Sequence, residues 1–189
     1  MRTALGWLQA GLLWGLAQAA GAVEILESRV FTDDGHYLIH LDARLDAPVW
    51  RIRALLTDYP NLHRLSPTIL ESELLLADPP HYRIRLVSEG CVGFFCRRLE
   101  QIQAIREWRD DFIEVIDEPG RSDFRIGRAV WRIRADREKT RLQYNGDFVP
   151  DFWIPPLLGP PLFRARLERE TRRLFDQLER LAREPRLPQ

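Results

Sequence analysis

The sequence predicts an α+β fold: a curved antiparallel sheet of about six to eight strands wrapped around one long C-terminal helix, with two short helices after the first strands. Three observations carry this expectation. Runs of alternating apolar and polar residues recur about every 10 residues between positions 68 and 149, separated by turn residues. The stretch "LFRARLERETRRLFDQLERLARE" has helical apolar spacing over about 24 residues. A shorter helical pattern, "DAPVWRIRALLTDYP", is bounded by prolines and precedes the main run of strands.

Each element follows in order. From Val23 to Leu45 the chain reads as two strands around the turn "TDDG", with Tyr37, Ile39, Leu41, Ala43 and Leu45 on one face. Asp46 is placed to cap the next helix, Pro48 sits in its first turn, and Val49, Ile52, Leu55 and Leu56 form its apolar side. Pro60 stops it, and "NLHRLSP" supplies a second helical turn closed by Pro67. The strand runs that follow are "TILESELLLA", "HYRIRLVSE", "RRLEQIQAIRE", "DFIEVIDE", "FRIGRAVWRIRAD" and "RLQYNGDFV", the last two forming a hairpin through "REKT". In the long helix Leu162, Leu167, Thr171, Leu174, Leu178 and Leu181 make one stripe, so the helix needs a partner, and only the sheet is large enough.

Residues 1–22 carry one charged side chain, Arg2, then a run of Ala, Leu, Gly and Trp and two small-x-small sites, which predicts a secretory leader cleaved after Ala19 or Ala22. The rest divides into one domain, 23–184, and a frayed tail, 185–189. Loss of Arg2 leaves 27 basic against 28 acidic side chains, and these are interleaved rather than clustered. That pattern argues against a nucleic-acid partner. Export to a periplasm or beyond makes a disulfide between Cys91 and Cys96 the expected state, because a hairpin loop at Val92 to Phe95 sets the two face to face. So short a loop contributes about 2 kcal/mol by chain entropy.

Signals for chemistry are sparse. The sequence has no nucleophile elbow, phosphate-binding loop or dinucleotide fingerprint, and His36, His40, His63 and His81 lack ligand spacing for a metal. No catalytic residue, metal or cofactor is assigned. Polar residues on strand faces that merit attention are Gln101, Gln103, Glu89, Arg128, Tyr144 and Asn145. Arg128 interrupts the face of Phe124, Ile126 and Val130, so it either enters the interior and needs a partner or stands on the solvated side.

The segment "LLTDYPNLHRLSPTILESELL" (residues 55–75), with its aromatic-proline stop, second turn and following strand, resembles the START-related superfamily. That group includes polyketide cyclase/dehydrase-like proteins, coenzyme-Q-binding proteins and lipid-transfer domains. Trp131 with "TRLQY" (140–144) and "PDFWIPPLLGPP" (150–161) is similar to an exported, cysteine-containing branch. The resemblance implies a helix-grip fold with a cavity between sheet and helix. It implies binding or transfer of a lipid or isoprenoid-like molecule, the alternatives being a cyclase/dehydratase-like enzyme or an interaction module with a filled core.

On that fold the expected ligand-binding residues are Arg128 for a headgroup and Trp131, Tyr144, Phe148, Phe152, Trp153, Leu174 and Leu178 for lining. The proline-rich stretch "VPDFWIPPLLGPPLF" (149–163) joins the last strand to the long helix, a fixed apolar loop at the cavity rim or a plug of the core. Read as rim, Phe152 and Trp153, with Phe94 and Phe95 at the cysteine hairpin, would give a transient membrane contact.

Overall fold

In the computed structural model, residues 23–92, 95–109, 111–154 and 159–184 are described. The expected leader, the tail, Phe94 and residues 155–158 of the proline-rich stretch lie outside them, as does the side chain of Phe95. Strands β1 (Glu24–Asp33) and β2 (His36–Leu45) are followed by α1 (Val49–Leu56) and a 3-10 stretch, Tyr59–Arg64, kinked at Asn61. Then come β3 (Ile69–Asp78), β4 (His81–Val92), β5 (Phe95–Trp108), β6 (Phe112–Asp117), β7 (Phe124–Asp136), β8 (Lys139–Pro150) and α2 (Gly159–Arg183). All the strands form one antiparallel sheet in the order β1-β2-β8-β7-β6-β5-β4-β3. The fold is the helix-grip α+β type, with α2 against the concave face.

Local chemistry explains the joints. Asp34 and Gly35, with φ of 43° and 81°, form the two-residue turn of the first hairpin, where left-handed backbone suits a glycine. Cys91 and Cys96 are directly paired across β4 and β5 and joined by a disulfide, with Cα atoms 3.9 Å apart. The pairing continues one residue further, Val92 to Phe95, so the loop is two residues shorter than the four-residue one expected.

Two local expectations are corrected. Asp46 does not cap α1: Pro48 holds that position, with no side-chain cap. Asp46 instead binds the end of α2, its carboxylate 2.9 Å from Arg183 and its N–H donating to Glu179 Oε2 at 2.9 Å. The stripe of α2 is also rotated from the leucine pattern. Leu162 is half exposed, whereas Phe163, Phe175, Leu178 and Ala182 are buried. The larger aromatic rings set this phase: Phe163 meets Tyr37 edge-on at 4.6 Å and Phe175 stacks on Trp131 at 6.0 Å. Burial of each such side chain contributes about 1.5–3 kcal/mol. Among the described residues no helix is long and apolar enough to cross a membrane.

Candidate functional site

Strand alternation sends every second side chain of β4 to β8 toward α2, yet these side chains do not fill the space. A cavity of about 290 Å³ remains between the concave face and the helix. Its walls are mainly apolar, from Ile84 and Leu86 on β4, Ile105 on β5, Ile113 and Val115 on β6, and Leu174 on α2. Leu56 of α1 and Tyr59, Leu62 and Leu65 close one end. There the Tyr59 hydroxyl donates to Glu107 Oε1 at 2.7 Å, and Glu107 pairs with Arg53. Burial, then the Glu107 carboxylate, pushes the Tyr59 hydroxyl well above its ordinary pKa.

A second chamber of about 210 Å³ adjoins the first, sharing Thr68, Ser88, Tyr144, Phe148, Glu170 and Thr171 among its walls. It runs toward the disulfide end of β4 and β5 and the start of α2, past Gly90, Leu99, Phe124, Phe163 and Arg166.

One carboxylate stands inside the cavity. Asp117 ends β6 at an inward position and is only 4% exposed. Gln103, its direct cross-strand neighbour, donates from Nε2 to Oδ1 at 2.9 Å, and Gln101, diagonally placed, donates to Oδ2 at 2.9 Å. Burial pushes the Asp117 carboxyl above its ordinary range, and the two amides offset only part of that. Space for it comes from β7, where a Cβ built on Gly127 would lie 1.9 Å from Asp117 Oδ2. Tyr144 faces the same cavity, its hydroxyl pushed upward by desolvation and then by the Asp117 charge. Its ring packs 4.4 Å from Trp131.

The eight expected ligand-binding residues fall into three groups. Trp131, Tyr144, Phe148 and Leu174 line the cavity together. Arg128 borders it but is exposed: it alternates with inward-facing Gly127 and Ala129, which puts its guanidinium on the outer, solvated side. Arg128 is thus placed at the border of the cavity rather than inside it.

Phe152, Trp153 and Leu178 do not line the cavity. Leu178 is fully buried in the packed core. Phe152 backs the second chamber, its ring 6.0 Å from Phe124 and 6.3 Å from Phe163, with Arg97 over its face at 5.0 Å. Trp153 is 76% exposed. Of the other polar residues singled out, Gln101 and Gln103 are inside. Glu89 is exposed beside the second chamber, and Asn145 is on the outer face, its Oδ1 2.7 Å from His40 Nδ1.

Sequence reasoning missed Asp117. The available signal was its period-two spacing from Ile113 and Val115, in a strand whose other face also carries Phe112 and Ile116.

A comparison with curated proteins gave no match. Among solved structures, the chain is similar to the Zhui aromatase/cyclase from Streptomyces sp. R1128, at 16% identity and a TM-score of 0.65 over 78% of this chain and 93% of that one. It is similar to the START superfamily protein from Mycobacterium smegmatis, at 19% identity and a TM-score of 0.61 over 78% and 99%. It is also similar to a STAR-related lipid transfer protein from Xanthomonas axonopodis, at 18% identity and a TM-score of 0.59 over 80% and 98%. These likenesses establish the fold. The model of the family described as polyketide cyclase / dehydrase and lipid transport matches residues 39–183, which run from within β2 to the end of α2 and include the cavity walls. The chain belongs to that polyketide cyclase / dehydrase and lipid transport family.

Proposed function

We propose that the protein is an exported carrier that encloses a lipid or isoprenoid-like molecule, without covalent chemistry, between the concave face of the sheet and α2. The observation that carries this reading is the unfilled apolar space of about 290 Å³ inside an otherwise packed core. Protein interiors rarely keep voids much larger than a water molecule. With the adjoining chamber it falls within the ordinary range of ligand pockets, about 300–1,000 Å³. Enclosure would draw its energy from apolar surface leaving water, at roughly 25 cal/mol per Å². A filled core, the second alternative, does not match that space. The leader pattern of residues 1–22 and the Cys91–Cys96 disulfide support export. Trp153, exposed beside the second chamber's Phe152 wall, supports a transient membrane contact at that end.

Native mass spectrometry of protein isolated without detergent tests the reading. A stoichiometric, extractable lipid-sized adduct is expected, and Ser88→Trp, which puts bulk where the two chambers meet, should lose it. Protein that stays empty after incubation with mixed lipid extract would overturn it. For the membrane contact, Trp153→Asp should weaken sedimentation with vesicles, and unchanged sedimentation would remove that element.

Asp117 favours a second reading, a cyclase or dehydratase-like enzyme. A carboxyl raised by burial in an apolar cavity is suited to accept or return a proton. On that reading Asp117→Asn abolishes turnover of a poly-carbonyl substrate without loss of binding, and turnover that survives the substitution excludes Asp117 as the base.

A further inference from the structure

Acceptors outnumber donors among the charged and amide groups that face the cavity. Each Asp117 oxygen takes a single amide hydrogen and keeps acceptor capacity. Glu170, on α2, adds a further acceptor. Its Oε1 lies 3.1 Å from Arg166 Nε and 3.1 Å from Arg173, whereas Oε2 is buried with no hydrogen-bond partner among the described residues. A buried oxygen of this kind is expensive to leave unmatched, so a bound molecule that brings a hydrogen to it gains more than a water-exposed bond would give. Among the described residues no free cation answers these oxygens within the first chamber: Arg128, the basic residue bordering it, faces outward, and Arg166 and Arg173 are already engaged with Glu170.

We propose that the cavity selects an uncharged amphiphile with a hydroxyl head, an alcohol, phenol or sterol-like molecule, whose O–H donates to Asp117 or to Glu170 Oε2, and that it rejects carboxylates and phosphates. The inference deepens the enclosure reading and rests on it. A carboxylate or phosphate head would set acceptor-only oxygens against those of Asp117 and Glu170, with its charge desolvated and unpaired. A ketone head matches the cavity's neutrality but brings no hydrogen. An ammonium head must shed a strong hydration shell, and only Asp117 is left to answer it, because two arginines already balance Glu170.

Isothermal titration of the purified protein at neutral pH with decanol, methyl octyl ketone, decanoate and decylammonium tests the choice. Decanol should bind at least about tenfold more tightly than either charged ligand, and severalfold more tightly than the ketone. Asp117→Asn, which keeps the shape and removes the charge, should narrow the gap between decanol and decanoate by about tenfold. Glu170→Gln provides the same comparison from α2 should the first variant fail to fold. Equal binding of decanol and decanoate, tighter binding of the ketone or decylammonium, or a gap that neither variant changes would overturn the inference and leave the carrier standing. Absence of binding for the whole series would overturn the carrier reading with it.

Discussion

The two faces of the sheet carry the same small motif with opposite results. On the outer face Asp42 of β2 takes a hydrogen bond at 2.8 Å from Gln143, its direct cross-strand neighbour, and others from Arg141, diagonally placed, the shortest at 2.6 Å. On the inner face Asp117 takes its bonds from Gln103, directly opposite, and Gln101, diagonally placed. Both aspartates are 4% exposed. Burial works against ionisation in each, yet the hydrogen bonds from Arg141 and Gln143 and the Arg141 charge hold Asp42 below its ordinary range, while Asp117 is raised above it. One residue, arginine or glutamine at the diagonal position, separates a structural ion pair from a carboxyl whose protonation is open to its surroundings. Other outer-face groups are paired in the same way, among them His36 with Asp147 and Arg44 with Asp136.

That contrast is broken most severely at Gly127. Its backbone is not in the left-handed region, so alanine there meets one obstacle, the Asp117 carboxylate. Gly127→Ala is expected to cost about 1–3 kcal/mol in urea unfolding, and Asp117→Ala in the same chain should restore most of it. Failure of the second substitution to rescue the first would mean that the close approach is not what requires glycine.

The next largest effect is a difference in pH dependence. The folded state holds Asp117 above its unfolded pKa of about 3.9, so its contribution is full below that value and is lost as pH rises through the folded pKa. Asp117→Asn removes this decline, so relative to the native chain it should gain on the order of 1 kcal/mol between acid and neutral pH. Asp42 has the reverse sign: its contribution is present above the unfolded pKa and is lost as pH falls through the lower folded one. Asp42→Asn should therefore lose ground at neutral pH and recover it in acid. Parallel unfolding curves for the two variants at both pH values would end the distinction.

A smaller effect comes from exchanging the diagonal partners. Arg141→Gln gives the outer aspartate the inner one's surroundings, and carbon-13 NMR titration of the Asp42 carboxyl should show its midpoint move upward, with little change in the unfolding midpoint. Gln101→Arg should do the converse, moving the Asp117 midpoint downward and admitting decanoate to the cavity. An unmoved Asp117 midpoint would show that the inner site is governed by burial alone.

The features readable from the chain before folding are local. Period-two alternation placed the strands, the "TDDG" turn and the facing cysteines; helical spacing placed α1 and α2. These signals are legible because each depends on residues a few positions apart and on the fixed geometry of helix and strand. The cavity walls were partly legible for the same reason, since Trp131, Tyr144, Phe148 and Leu174 follow from strand and helix phase. The chemistry of the cavity depends on contacts between distant parts of the chain. Arg128 stands outside because the local phase of β7 turns Gly127 inward, and Leu178 rather than Leu162 is buried because distant aromatic rings fix the rotation of α2. Gln101, Asp117, Gly127, Tyr144 and Glu170 come in turn from β5, β6, β7, β8 and α2, and no sequence spacing links them. Their meeting is set by strand register and by the helix laid across it, where a shift of one residue would turn each strand's carboxylate, amide or hydroxyl to the opposite face.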